Sequence, residues 1–169
     1  MILQKQLQST MNKKYSGQLK TRTAADENDG TLSGPSRARM SARLPEVLIV
    51  DDEEALLLTI ADGLGIYGKH FHLLTATNGL DAVKLLKTLP AIDLVITDLS
   101  MPKMDGFELL AYIKRNYPKV PVIFMTAFGT PRIEEIVKRL GVFRYLEKPL
   151  DINTIADNIF QALAIPSDT

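Results

Sequence analysis

An open α/β sheet of parallel strands, with helices on both faces, is the fold class the sequence predicts. Three observations predict it. Short apolar runs rich in β-branched residues alternate five times with longer segments of helical periodicity, starting at residue 46. The runs recur roughly every 25 residues, a spacing that fits helical crossovers and not hairpins. They are apolar almost throughout, as strands covered on both sides are, and do not alternate with polar residues.

Val47-Leu48-Ile49-Val50 is the first strand. After the acidic turn Asp51-Asp52-Glu53-Glu54, residues Ala55, Leu56, Leu58, Thr59, Ile60 and Leu64 recur at helical spacing, and Gly65 and Gly68 end that region. Phe71-His72-Leu73-Leu74-Thr75 is the second strand. Asn78-Gly79 opens a helix carrying Leu80, Val83, Leu85, Leu86 and Leu89, stopped by Pro90. Ile92 to Thr97 is the third strand, and Asp105 caps a helix with Phe107, Leu109, Leu110, Tyr112 and Ile113 that closes before Pro118. Val120 to Met125 is the fourth strand, with Pro121 tolerable only near its entry. Ile133, Ile136, Val137 and Leu140 line the next helix, which ends at Gly141. Val142 to Leu146 is the fifth strand, and Leu150, Ile152, Ile155, Ile159 and Leu163 line a last helix ended by Pro166.

Composition narrows the function classes. A hydrophobic fraction of 46% is that of a folded domain, and 169 residues fit one such domain. With no cysteine there is no disulfide framework, no Cys-ligated zinc and no thiol nucleophile. Two histidines, His70 and His72, are too few for a catalytic triad plus a metal site. No apolar run approaches the ~18 residues of a spanning helix, and the start lacks a signal-peptide pattern. A soluble, cytoplasmic protein that does not engage a membrane is the expectation.

The formal net charge of zero conceals an asymmetry. Residues 1–44 carry eight Lys or Arg against three acids, whereas residues 45–169 carry twelve against seventeen. The first segment is polar and poor in large apolar residues, so it reads as a basic, disordered leader. Residues 45–165 form the globular part, and 166–169 a short tail.

In sheets of this class, ligands bind beyond the carboxyl ends of the strands. Asp51 and Asp52 follow the first strand, Asp98 the third, Thr126 the fourth and Lys148 the fifth. Taken singly, each has a bland reading: an acidic first turn, a cap, a strand-end hydroxyl, a solvated lysine. Together they make a complete phosphoryl-transfer set. Three carboxylates at one edge call for a hard divalent cation, one of them can be an acceptor nucleophile, and the ammonium and hydroxyl can meet phosphoryl oxygens.

Four segments carry a resemblance. Val47-Leu48-Ile49-Val50-Asp51-Asp52-Glu53, Thr97-Asp98-Leu99-Ser100-Met101-Pro102-Lys103-Met104-Asp105-Gly106, Met125-Thr126-Ala127 and Tyr145-Leu146-Glu147-Lys148-Pro149 resemble, in order and spacing, the motifs of the receiver domain of two-component response regulators. The resemblance implies a flavodoxin-like, doubly wound (βα)5 fold with strand order 2-1-3-4-5. It implies a signalling switch, not a turnover enzyme, in which Asp98 accepts a phosphoryl group from a histidine kinase or histidine phosphotransfer protein. Mg2+, or Mn2+ in its place, is implied on Asp52, Asp98 and the backbone carbonyl of Ser100, with Asp51 acting largely through a metal-bound water. Lys148 is implied to pair with Asp98 and then with the phosphoryl group, across a cis bond to Pro149. Thr126 and Tyr145 are the implied switch pair, remodelling the face of the fourth helix, fifth strand and fifth helix for a downstream protein partner. The chain is then a monomer or a phosphorylation-dependent dimer, and either a stand-alone receiver or a fragment.

Departures and rivals bear on this reading. Ser100 and Phe128 stand where the family tunes the lifetime of the phosphoryl group. No helix-turn-helix is apparent, so direct DNA binding by this chain is not expected. A Mg-dependent phosphohydrolase with an Asp nucleophile needs an acid two positions later, where this chain has Ser100. A non-phosphorylated interaction module would have lost acidic or Lys site residues, and none is lost. A dinucleotide-binding enzyme would show G-x-G-x-x-G after the first strand.

Overall fold

All five apolar runs form strands, and their polar ends line up along one edge. The computed structural model describes residues 43–89, 91–127 and 131–166. The strands are β1 (Glu46–Val50), β2 (His72–Ala76), β3 (Leu94–Asp98), β4 (Val122–Thr126) and β5 (Arg144–Glu147). The helices are α1 (Glu54–Leu64), continued by a 3-10 turn at Gly65–Tyr67, α2 (Gly79–Thr88), α3 (Gly106–Asn116), α4 (Pro131–Arg139) and α5 (Ile152–Leu163). Every strand pair is parallel, and the order is β2-β1-β3-β4-β5, the flavodoxin-like order the resemblance implies.

Side-chain alternation along these strands builds two cores. Val47, Ile49, Leu94, Ile96, Ile123, Met125 and Leu146 point to one side and pack under α1 and α5. Leu48, Val50, Val95, Val122 and Phe124 point to the other and pack under α2, α3 and α4. Covering both faces explains why the central strands read as unbroken apolar runs.

Several elements depart from the sequence expectation. On α1 the buried residues are Leu57, Ile60 and Leu64, while Leu58 is exposed. Both leucines suit a helix, and the phase that buries Leu57 at i, i+3 and i+7 with Ile60 and Leu64 matches the sheet. On α2, Leu80 is exposed and Ala82 is fully buried. β1 begins one residue before its apolar run and β2 to β5 begin one or two residues after theirs, and β3 and β4 each run one residue past the predicted end. Asp98 and Thr126 are therefore the last residues of β3 and β4, not residues beyond them. Helix α5 ends at a left-handed Ala164 (φ 51°), two residues ahead of Pro166, and the Ile165 N–H closes on the Phe160 carbonyl. Among the described residues, no helix is long and apolar enough to cross a membrane. The expectations for the leader up to residue 42, for Phe128 and for the last three residues lie outside the described residues.

Candidate functional site

The loops leaving β1, β3 and β5 bring Asp51, Asp98 and Lys148 together. Asp51 directly follows β1, where its N–H donates to the Ala76 carbonyl at 3.1 Å and so extends the β1–β2 ladder by one rung. Lys148 directly follows β5, where its N–H donates to the Thr126 carbonyl at 2.7 Å, extending the ladder to β4. These backbone bonds set where the two side chains start. The Lys148 ammonium then donates to Asp51 Oδ2 at 2.6 Å and lies 3.0 Å from Asp98 Oδ1. The Lys148–Pro149 bond is cis, as the resemblance implies.

Both carboxylates are buried, and each has a second donor. Asp51 Oδ1 accepts from the Glu53 N–H at 3.0 Å, and Asp98 Oδ2 accepts from the Ser100 N–H at 2.8 Å. These bonds fix the carboxylate planes. Lys148 responds to the same contacts. Burial alone would lower its pKa, but the hydrogen bonds to Asp51 and Asp98 outweigh that and hold it above its ordinary value.

Not every predicted residue joins this cluster. Asp52 is exposed, and among the described residues no three His, Cys, Asp or Glu side chains gather into a metal-binding group. The sequence reading had three carboxylates at this edge; Asp51 and Asp98 meet at the Lys148 ammonium, whereas Asp52, on the next residue, is exposed. Thr126 is buried at the end of β4, with Ser100 exposed across the edge. Tyr145 is half-buried on β5 beside Phe124, on the sheet face that Thr126 shares by strand parity. Thr126 and Tyr145 are thus two residues apart along one side of the β4–β5 pair.

A hard divalent cation fits this donor set. Asp51 and Asp98 carry two negative charges against the one positive charge of Lys148, exposed Asp52 is the residue after Asp51, and every candidate ligand is an oxygen. The local excess of negative charge is what a divalent ion neutralises.

A glycine and one strained turn shape the loop between β3 and α3, and the motif reading gave them no part. A Cβ on Gly106 would fall on the Asp98 carbonyl oxygen, so only glycine lets α3 start there; its N–H donates to the Leu99 carbonyl at 3.0 Å. Asp105 caps α3 in a capping box with Glu108, holding that start in place. The Met104 N–H donates to the Pro102 carbonyl at 2.8 Å around Lys103, whose φ is 69°, which makes a γ-turn of the rare strained kind. The one sequence signal for this close packing was the Asp-Gly pair itself.

Comparison with known proteins agrees with this fold. The description "response regulator receiver domain" matches residues 47–160. The chain is 36% identical over 124 residues to the transcriptional regulatory protein GlrR of Escherichia coli K12, covering 73% of this chain and 27% of that one. It is 32% identical over 123 residues to sporulation initiation phosphotransferase F of Bacillus subtilis, covering 73% of this chain and 97% of the relative. It therefore spans about a quarter of the first relative and nearly all of the second. A solved receiver domain protein from Clostridium thermocellum superposes with a TM-score of 0.65 at 32% identity, covering 72% of this chain and 95% of that one.

Proposed function

Because the chain belongs to the response regulator receiver domain family, we propose that residues 45–165 work as a phosphorylation-dependent switch with Asp98 as the acceptor. The observation that carries this reading is the shared ammonium: Lys148 sits between buried Asp98 and buried Asp51. A carboxylate at a strand end, placed beside a cation, is a prepared nucleophile.

The donor is a phosphohistidine on a kinase or phosphotransfer protein. An Asp98 oxygen forms the new O–P bond while the P–N bond to the donor imidazole breaks. The electron pair stays on the imidazole nitrogen, which is then free to take a proton from water. Lys148 exchanges part of its contact with Asp98 for a phosphoryl oxygen, and the Thr126 hydroxyl donates to another. Asp52, Asp98 and the Ser100 carbonyl would hold Mg2+, with Asp51 acting on it largely through a bound water. When bound, the ion supplies the positive charge that the incoming phosphoryl oxygens require. Drawing Thr126 toward the phosphoryl group changes the space beside Tyr145, and the face of α4, β5 and α5 changes with it. A downstream protein reads that face.

Transfer from a radiolabelled phosphohistidine donor tests the reading. Label should pass to this chain in the presence of Mg2+, at most one phosphoryl group per chain, and should not pass to the Asp98→Asn variant. Label on that variant, or repeated turnover of a small phosphoester, would count against it.

A further inference from the structure

We infer that Gly79 is a positioning residue for the acceptor loop: its bare backbone wedges the start of α2 against Met104 and so holds the Ser100 carbonyl where a cation beside Asp98 needs it. This rests on the proposed Mg2+-dependent chemistry at Asp98. It concerns a residue at the start of a different element, α2, whose contact is with Met104.

The contact is close from both sides. The Gly79 N–H donates to the Met104 carbonyl at 3.2 Å. A Cβ on Gly79 would lie 2.7 Å from that same carbonyl oxygen and 2.7 Å from Met104 Cγ. Those separations are well inside van der Waals contact, so any side chain moves one partner by several tenths of an ångström.

The start of α2 is the less yielding side. Asn78, 1% exposed, caps the helix by accepting from the Asp81 N–H at 3.0 Å, and its amide donates to the Asp81 carboxylate at 2.7 Å. Ala82 and Leu86 seat the same helix in the core. The other side is a loop already bent through the left-handed Lys103. Displacement therefore falls on residues 102–104 and passes back toward Ser100. At its far end the loop cannot slide, because Gly106 abuts the Asp98 carbonyl. The acceptor loop is thus set between two glycines, one from each neighbouring helix start.

The test compares wild-type chain, Gly79→Ala and Gly63→Ala. Gly63 is the matched control: a Cβ there would meet the Ile152 side chain at 2.6 Å, on α1 and away from this loop. Calorimetric titration with MgCl2, phosphorylation by acetyl phosphate across Mg2+ concentrations, and amide exchange at Ser100 are measured for each. Gly79→Ala should weaken Mg2+ binding about five- to tenfold. It should raise the Mg2+ needed for half-maximal phosphorylation by the same factor, leave the rate at saturating Mg2+ within about twofold, and speed exchange of the Ser100 amide. Gly63→Ala should change none of these. Equal effects from both variants, or wild-type Mg2+ affinity and Ser100 exchange in Gly79→Ala, would overturn the inference. If Gly79→Ala does not fold, Met104→Ala loosens the same contact from the other side and should shift the same readouts in the same direction. A wild-type chain that takes no phosphoryl group would remove the proposed function, whereas Ser100 exchange would still decide whether Gly79 positions the loop.

Discussion

The Lys148 ammonium lies nearer to Asp51, at 2.6 Å, than to the proposed acceptor Asp98, at 3.0 Å. Asp51 is thus more than a candidate metal residue. It anchors the lysine while leaving Lys148 able to follow charge that arrives at Asp98.

Removing that ammonium leaves two buried carboxylates facing one another. Lys148→Met should lower stability by about 1–3 kcal/mol, less than for a fully enclosed pair because Lys148 keeps some exposure. Mg2+ should restore more stability to this variant than to wild type, since a divalent ion can take over the missing charge. Thermal melts with and without MgCl2 check this, and equal Mg2+ stabilisation of both proteins would contradict it.

The same lysine gives a pH signature. Its folded-state pKa is held above the ordinary 10.5, so the native state keeps a proton that the unfolded chain loses. The stabilisation is complete below pH 10.5 and is lost as pH rises through the folded value. The stability difference between wild type and Lys148→Met should be flat from about pH 7 to pH 10 and shrink above that. Burial raises the Tyr117 phenol in the same direction, but Tyr117 is common to both proteins and cancels in the difference. Chemical denaturation across pH checks the profile.

Gly106→Ala places a methyl group on the Asp98 carbonyl. A clash with backbone cannot be relieved by a rotamer change, so the cost should be about 1–3 kcal/mol, together with slower phosphorylation. Urea melts and acetyl phosphate kinetics measure the two effects, and a variant normal in both would show that the loop yields freely.

Loss of the α3 cap should affect stability more than chemistry. Asp105→Ala removes the side-chain acceptor for the Glu108 N–H and should cost about 1 kcal/mol. Asp105→Asn, which keeps an acceptor, should recover most of that in the same denaturation assay.

Much of the architecture was legible because burial on both faces leaves its mark in each strand. Val47 to Val50 and Val122 to Met125 have no polar side to hide. The candidate site was legible for the complementary reason: Asp51, Asp98, Thr126 and Lys148 are polar residues at the ends of apolar runs. Helix phase was less legible, since Leu57 and Leu58 are alike in propensity and only the sheet beneath α1 distinguishes them. Asp51 and Asp52 are likewise the same side chain on adjacent residues, and the turn after β1 decides which is buried. The glycine contacts at Gly79 and Gly106 depend on how closely two loops approach, and periodicity carries no record of that.

The most direct test of the account is the site of phosphorylation. Wild-type chain is incubated with acetyl phosphate and Mg2+, the acyl phosphate is trapped by borohydride reduction, and the modified residue is identified by peptide mass spectrometry. Modification at Asp98, dependent on Mg2+ and lost in Asp98→Asn, is the predicted result. Modification elsewhere, or none in a folded protein saturated with Mg2+, would contradict it.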